Sequence, residues 1–186
     1  MTRLRGLLGL LGCLVLALVL AAVTPDPATT LRRRWSGAEV GEWAQTPGVG
    51  VRVGSVTVTR SAGREYGDPF VSRQALVVLN VDAQVRERVA QLSQVSLRTR
   101  DGHGYDPRPE FASAALGQTQ PGFTRHATLV FEVPPDRLAG STLEVDADGA
   151  SVDGYARALR VDLGLHDPVP IGVAVAAVSP STVTTT

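Results

Sequence analysis

Apolar side chains at every second position constrain this chain more than any other feature. In QALVVLNVDAQV, Val77, Leu79, Val81, Ala83 and Val85 fall on one face, and Val78, Asn80, Asp82 and Gln84 fall on the other. Successive side chains of an extended strand point to opposite sides, so this spacing predicts a strand with one buried and one solvated face. The pattern recurs in FTRHATLVFEV, with Phe123, Arg125, Ala127, Leu129, Phe131 and Val133 on one side, before Pro134-Pro135 stops it. Val49, Val51 and Val53 alternate as well. Val56 and Val58 resume one position out of phase, and Gly54-Ser55 at the slip predicts a β-bulge or a turn.

Further short strands follow the same rule. Val95, Leu97 and Thr99 run into the turn signal Asp101-Gly102-His103-Gly104. Leu143, Val145 and Ala147 lead to Asp148-Gly149, and Tyr155, Leu159, Val161, Leu163 and Leu165 form the last expected strand. The spacing of Val85, Val89 and Leu92 allows a short helical turn over Arg86 to Gln91. No crossover helices separate the strands, which disfavours a parallel α/β architecture. The expectation is an all-β fold, an antiparallel β-sandwich of six or seven strands.

Ahead of these strands, Gly6 to Val23 contains no charged residue, and Arg3 and Arg5 precede it. This predicts one N-terminal hydrophobic helix, either a membrane anchor or a signal peptide. Val19-Leu20-Ala21 before Ala22 is an acceptable cleavage site, while the length of the run favours a retained anchor. The arginines on the two sides, Arg3 and Arg5 against Arg32 to Arg34, nearly balance, so charge alone does not orient the span. Leu10-Leu11-Gly12-Cys13 loosely resembles a lipoprotein cleavage box. The apolar residues continuing to Val23 favour an ordinary Cys13 inside the span.

Residues 24–47 read as a stalk of Pro, Thr, Gly and charge, with Trp35 beside the membrane interface and Trp43 packed under the first strand. The 120 residues 48–167 are enough for one domain. They contain no cysteine, so the domain must be held by its core, without disulfide or thiolate metal site. Residues 168–186 are expected to be a disordered tail, although Ile171, Val173 and Val175 allow an edge strand.

Every cation among the side chains is arginine or histidine. Downstream of Trp35, 13 arginines face 17 acids, a net charge of −4, and they are dispersed. Neither a nucleic-acid surface nor a polybasic lipid patch is indicated. His103, His126 and His166 lack a second histidine at metal-ligand spacing. Asp146, Asp148 and Asp153 could supply calcium oxygens, but they lack an EF-hand's spacing and terminal glutamate, and Asp-Gly signals a hairpin first. The nucleophile elbow and phosphate-loop patterns are absent. The sequence therefore assigns no catalytic, cofactor-binding or metal residue. Loops carry function on such scaffolds. Glu65-Tyr66-Gly67-Asp68-Pro69-Phe70 and Arg108-Pro109-Glu110-Phe111 place aromatics beside charge, making Tyr66, Phe70, Arg108 and Phe111 the candidate partner-binding residues. The alternative is that these aromatics tuck their loops onto the sandwich.

LRTRDGHGYDP (97–107), TQPGFTRHATLVFEVPPD (119–136) and LEVDADG (143–149) together resemble a group of immunoglobulin-like extracytoplasmic domains of Gram-positive bacteria, in the superfamily of a secreted mycobacterial immunoprotective antigen. The resemblance covers about Val49 to Leu165. It implies an immunoglobulin-like sandwich that is membrane-anchored, lipid-anchored or secreted, with no established general enzymatic role and no functional residues to carry over. The reading is a non-enzymatic, membrane-anchored binding or assembly module of the bacterial cell envelope. Its domain lies outside the cytoplasm, and its partners are the membrane and another envelope protein. The alternative is a secreted protein, released after signal cleavage, that meets a host or a small ligand.

Overall fold

A computed structural model of the chain describes residues 34–186 apart from 64–66, 88, 112–115, 149–156 and 186. The expected N-terminal helix, Tyr66, Asp153 and Tyr155 lie outside the described residues. No helix among the described residues is long and apolar enough to cross a membrane.

Twelve strands are described, where the alternation predicts six or seven. They are β1 (Arg34–Glu39), β2 (Trp43–Gln45), β3 (Val49–Ala62), β4 (Phe70–Val85), β5 (Ala90–Arg98), β6 (Gly104–Tyr105), β7 (Gly117–Thr119), β8 (Phe123–Val133), β9 (Thr142–Asp148), β10 (Arg157–Asp162), β11 (Gly172–Ala176) and β12 (Thr182–Thr185). They form two six-stranded sheets. The first runs β1-β10-β9-β5-β6 with β7 also on β5, and the second runs β11-β3-β4-β8-β12 with β2 also on β3. The fold is a β-sandwich.

Its core is the one that alternation predicts. Val77, Leu79, Val81 and Ala83 of β4 and Leu129, Phe131 and Val133 of β8 are buried in one cluster with Leu97, Leu143, Val145, Leu159 and Val161 of the facing sheet. Gly54 marks a bulge, where the β3–β4 register shifts between Val53 and Ser55, and β3 continues as one strand. Gly122, at φ 81°, makes the turn that starts β8, and the Phe123 N–H donates to the Gln120 carbonyl. β9 and β10 pair antiparallel as the hairpin signal predicts, while their connection lies outside the described residues.

Several expectations need correction. Residues 34–45 are not only a stalk: β1 pairs parallel with β10, and β2 pairs antiparallel with β3. In the tail, Val173 and Val175 lie in β11, the edge strand that the sequence allows, parallel to β3, and the Ser/Thr ending expected to be disordered supplies β12, antiparallel to β8. The chain ends satisfy edges that the central strands leave open, and backbone hydrogen bonding drives this regardless of side-chain pattern. The sheets are therefore mixed, with one parallel pair at an edge of each. Among the described residues no helical turn follows β4. Arg86 and Glu87 form a bend, the Arg86 N–H bonds the Gly48 carbonyl, and strand resumes at Ala90. The last long strand stops at Asp162, short of Leu165, because the Asp162 carboxylate accepts the Gly164 N–H and Gly164 takes φ 63°. Tyr105 is half-buried against the core, and Arg137 Nη1 donates to its hydroxyl at 3.4 Å.

Candidate interaction surface

Three of the four candidate residues come together on the outer face of the second sheet. Phe111 is 2% exposed and sits in a small cluster with Ala62, Leu76, Val78, Val130 and Ala176. Phe70 meets it edge-on, with ring centroids 5.9 Å apart at 87°. The Arg108 guanidinium lies 5.3 Å from the Phe70 ring centre and bonds both Glu110 and Glu132. The Glu110 hydrogen bond, reinforced by the negative charge of Glu132, raises the already high Arg108 pKa.

The loop thus folds down onto the sheet. This corrects the expected solvated face of β4 at one end: Val78 is buried, because Leu76, Val78 and Val130 make an apolar spot that Phe111 covers. Phe111 is spent on the fold, and Phe70 and Arg108 hold it there. Tyr66 lies outside the described residues.

The neighbouring row is different. Ala176, Ala62 and Phe70 align across β11, β3 and β4, and one position away Val175, Ser61 and Val71 align on the opposite face. Val175 is 52% exposed, Val71 is 71% and Val173 is 96%. β11 ends its sheet among the described residues, so no described strand lies on its outer main-chain edge. Sheet edges are usually guarded by charges, prolines or bulges. GVAVA has neither charge nor proline, and its one irregularity is the register shift between Gly172 and Val175. Sequence reading noted Val173 and Val175 as strand material but missed their role as surface, and missed Val71. The available signal was the uncharged run between Pro170 and Pro180.

Both outer faces also carry a polar row headed by tryptophan. On the second sheet, Trp43, Arg52, Asp82 and His126 are successive cross-strand neighbours. Arg52 lies 5.0 Å from the Trp43 ring centre, and its Nη2 is 2.6 Å from Asp82 Oδ2. His126 Nδ1 is 2.7 Å from Asp82 Oδ1, and its Nε2 is 2.9 Å from Thr184 Oγ1. Trp43 lies over Gly50, where a Cβ would come within 3.3 Å of the ring.

Hydroxyl, imidazole and carboxylate occur here in the order used by serine hydrolases. Two features argue for a structural clasp. Asp82 is already neutralised by Arg52, and β8 is laddered on both sides, to β4 and β12, which removes convergent N–H donors for an oxyanion. The clasp ties β12 to the sheet. Asp82→Ala is expected to cost about 1–2 kcal/mol, reduced by the partners' solvent exposure. Urea denaturation should show a lower midpoint with an unchanged m value.

The other sequence candidates lie apart. His103 pairs with Asp101 at 3.1 Å in the turn after β5, and His166 is exposed beyond β10. Asp146 is a strand residue of β9 paired in register with Ala158. Among the described residues no three His, Cys, Asp or Glu side chains are grouped to hold a metal ion.

The two sheets and the uncovered edge together define the class: a β-sandwich with an open, apolar edge strand. No family model matches the sequence. No curated protein matches it either. Two solved structures are similar in fold. An uncharacterised β-sandwich protein from Clostridium difficile is 10% identical, with 69% of this chain and 95% of that one covered and a TM-score of 0.42. A candidate lipoprotein from Bacillus subtilis is 15% identical, with 64% of this chain and 38% of that one covered and a TM-score of 0.45.

Proposed function

We propose that this protein is a non-enzymatic binding or assembly module of the bacterial cell envelope. Its immunoglobulin-like domain works outside the cytoplasm and is tethered by residues 6–23. The module receives an extended, β-branched segment of a neighbouring envelope protein along β11, by strand addition. The observation that carries this reading is a strand that ends its sheet among the described residues, with no charge and with Val173 almost fully exposed. Tethering near the membrane raises the effective concentration of such a segment.

The test places a photo-reactive residue at position 173 of the full chain in its native membrane. Crosslinks are expected to a strand-forming segment of a second envelope protein, and Val175→Lys should abolish them by guarding the edge with charge. No crosslink at 173, or one indifferent to Val175→Lys, would count against the reading. The Val19-Leu20-Ala21 sequence supports a second reading, in which the domain is released. A mature amino terminus at Ala22 in culture supernatant would select it.

A further inference from the structure

The strand β11 is nearly its own mirror in sequence. Gly172-Val173-Ala174-Val175-Ala176 reads Val-Ala-Val in both directions about Ala174. The carbonyls of Gly172 and Ala174 accept from Thr59 Oγ1 at 3.2 and 2.6 Å, and the Ala176 carbonyl accepts from the Gly63 N–H at 2.8 Å. Main-chain groups alternate in direction along a strand, so those of Val173 and Val175 point away from β3. Among the described residues no strand lies on that side. The side chains of Val173 and Val175 are both exposed, and their spacing puts them on one face.

We propose that β11 pairs with β11 of a second copy, antiparallel about a twofold axis at Ala174, and so joins the second sheets of two molecules. This pairing rests on the strand-addition reading above and makes the neighbouring envelope protein a second copy of this chain. Val173 of each copy lies opposite Val175 of the other, in pairs that exchange both main-chain hydrogen bonds. Opposed β-branched side chains on one face are a favourable cross-strand match. Arg60 is the cation that β3 carries beside β11. Three strand spacings, roughly 14 Å, separate the two β3 backbones, beyond the screening length of ~8 Å, so the like charges do not oppose the contact. The contact is isologous and closes as a dimer. The other end of the sheet is a poorer partner, because Val183 of β12 lies opposite Arg125, and a charge beside an edge discourages pairing.

The experiment is cysteine crosslinking of the full chain in its native membrane, with Cys13→Ser removing its one native cysteine. Ala174→Cys places the two thiols at the twofold, in a non-hydrogen-bonded pair with Cα atoms about 4.5 Å apart, which a disulfide spans. Mild oxidation with copper phenanthroline in air is expected to yield a dimer of this chain. In the same register the two copies of residue 173 lie about 9 Å apart, so Val173→Cys should link at least about tenfold less. Adding Val175→Lys to Ala174→Cys should cut the linked fraction at least about tenfold, because it puts a charge at the seam. Equal linking at 173 and 174, or linking indifferent to Val175→Lys, overturns the proposal. A disulfide between co-expressed Ala174→Cys and Val183→Cys chains shows head-to-tail joining and overturns it too. If position 174 gives no self-link while the photo-reactive residue at 173 captures a different protein, the dimer falls and strand addition stands. No link of either kind removes both.

Discussion

Phe131→Ala is expected to lower the unfolding free energy by about 3–5 kcal/mol, the range for truncating a fully buried aromatic. Phe131 is completely buried on the inward face of β8, opposite Val77 of β4, and is among the largest fully buried side chains. Its neighbours are strand residues held by ladders on both sides, so they cannot collapse to fill the space. Domains of this size are stable by only about 5–15 kcal/mol, so the loss takes a large share. Phe131→Leu, which keeps most of the volume, should cost under about 1.5 kcal/mol. Urea titrations of the two variants provide the comparison. A loss below about 1 kcal/mol for the alanine variant would mean that the two sheets do not close over this ring.

The second large effect is expected at Glu144. This carboxylate is 5% exposed although it lies on the outer face of β9. Arg160 Nη2 reaches Oε1 at 2.7 Å, and Arg98 Nε reaches Oε2 at 3.4 Å. Trp35 of β1 in turn lies 4.2 Å from the Arg160 guanidinium. Removing the carboxylate leaves two arginines facing each other with no anion between them. Breaking a fully buried pair costs about 3–5 kcal/mol, but both arginines are partly in water, so about 2–3 kcal/mol is expected for Glu144→Ala. Glu144→Gln keeps the size and one acceptor, and should cost about half as much. Replacing Arg98, Glu144 and Arg160 together by apolar residues of similar size should recover most of the loss. A triple variant as unstable as Glu144→Ala would show that Glu144 acts through something other than its two cations. Thermal unfolding at matched pH and salt separates these outcomes.

The central strands were legible because their signal is local. In FTRHATLVFEV every second residue is apolar and two prolines end the run, and β8 spans the same residues. The stripe Val77 to Val85 is buried as its spacing predicts. Gly54 falls at the bulge where the phase of the valines slips, and Gly122 takes φ 81°, which few other residues accept. RWSGAE and TVTT carry no such alternation. They are strands because β10 and β8 offer them open hydrogen-bonding edges, and pairing between distant segments leaves no local mark. The same limit applied to the candidate residues. Charge beside aromatics reads alike in a loop that binds and a loop that packs, and only the apolar spot of Leu76, Val78 and Val130 decides that Phe111 is packing.

From its residues alone, the chain committed itself to layered strands, to a core without disulfides, and to an uncharged apolar run over residues 6–23. Those properties follow from side-chain chemistry repeated at short range. Tertiary structure alone decided which strands became edges, which charges met across the sheets, and which apolar side chains stayed in water. Those outcomes depend on which backbone edges and side chains distant segments bring together, and a cross-strand neighbour in space need not be near in sequence.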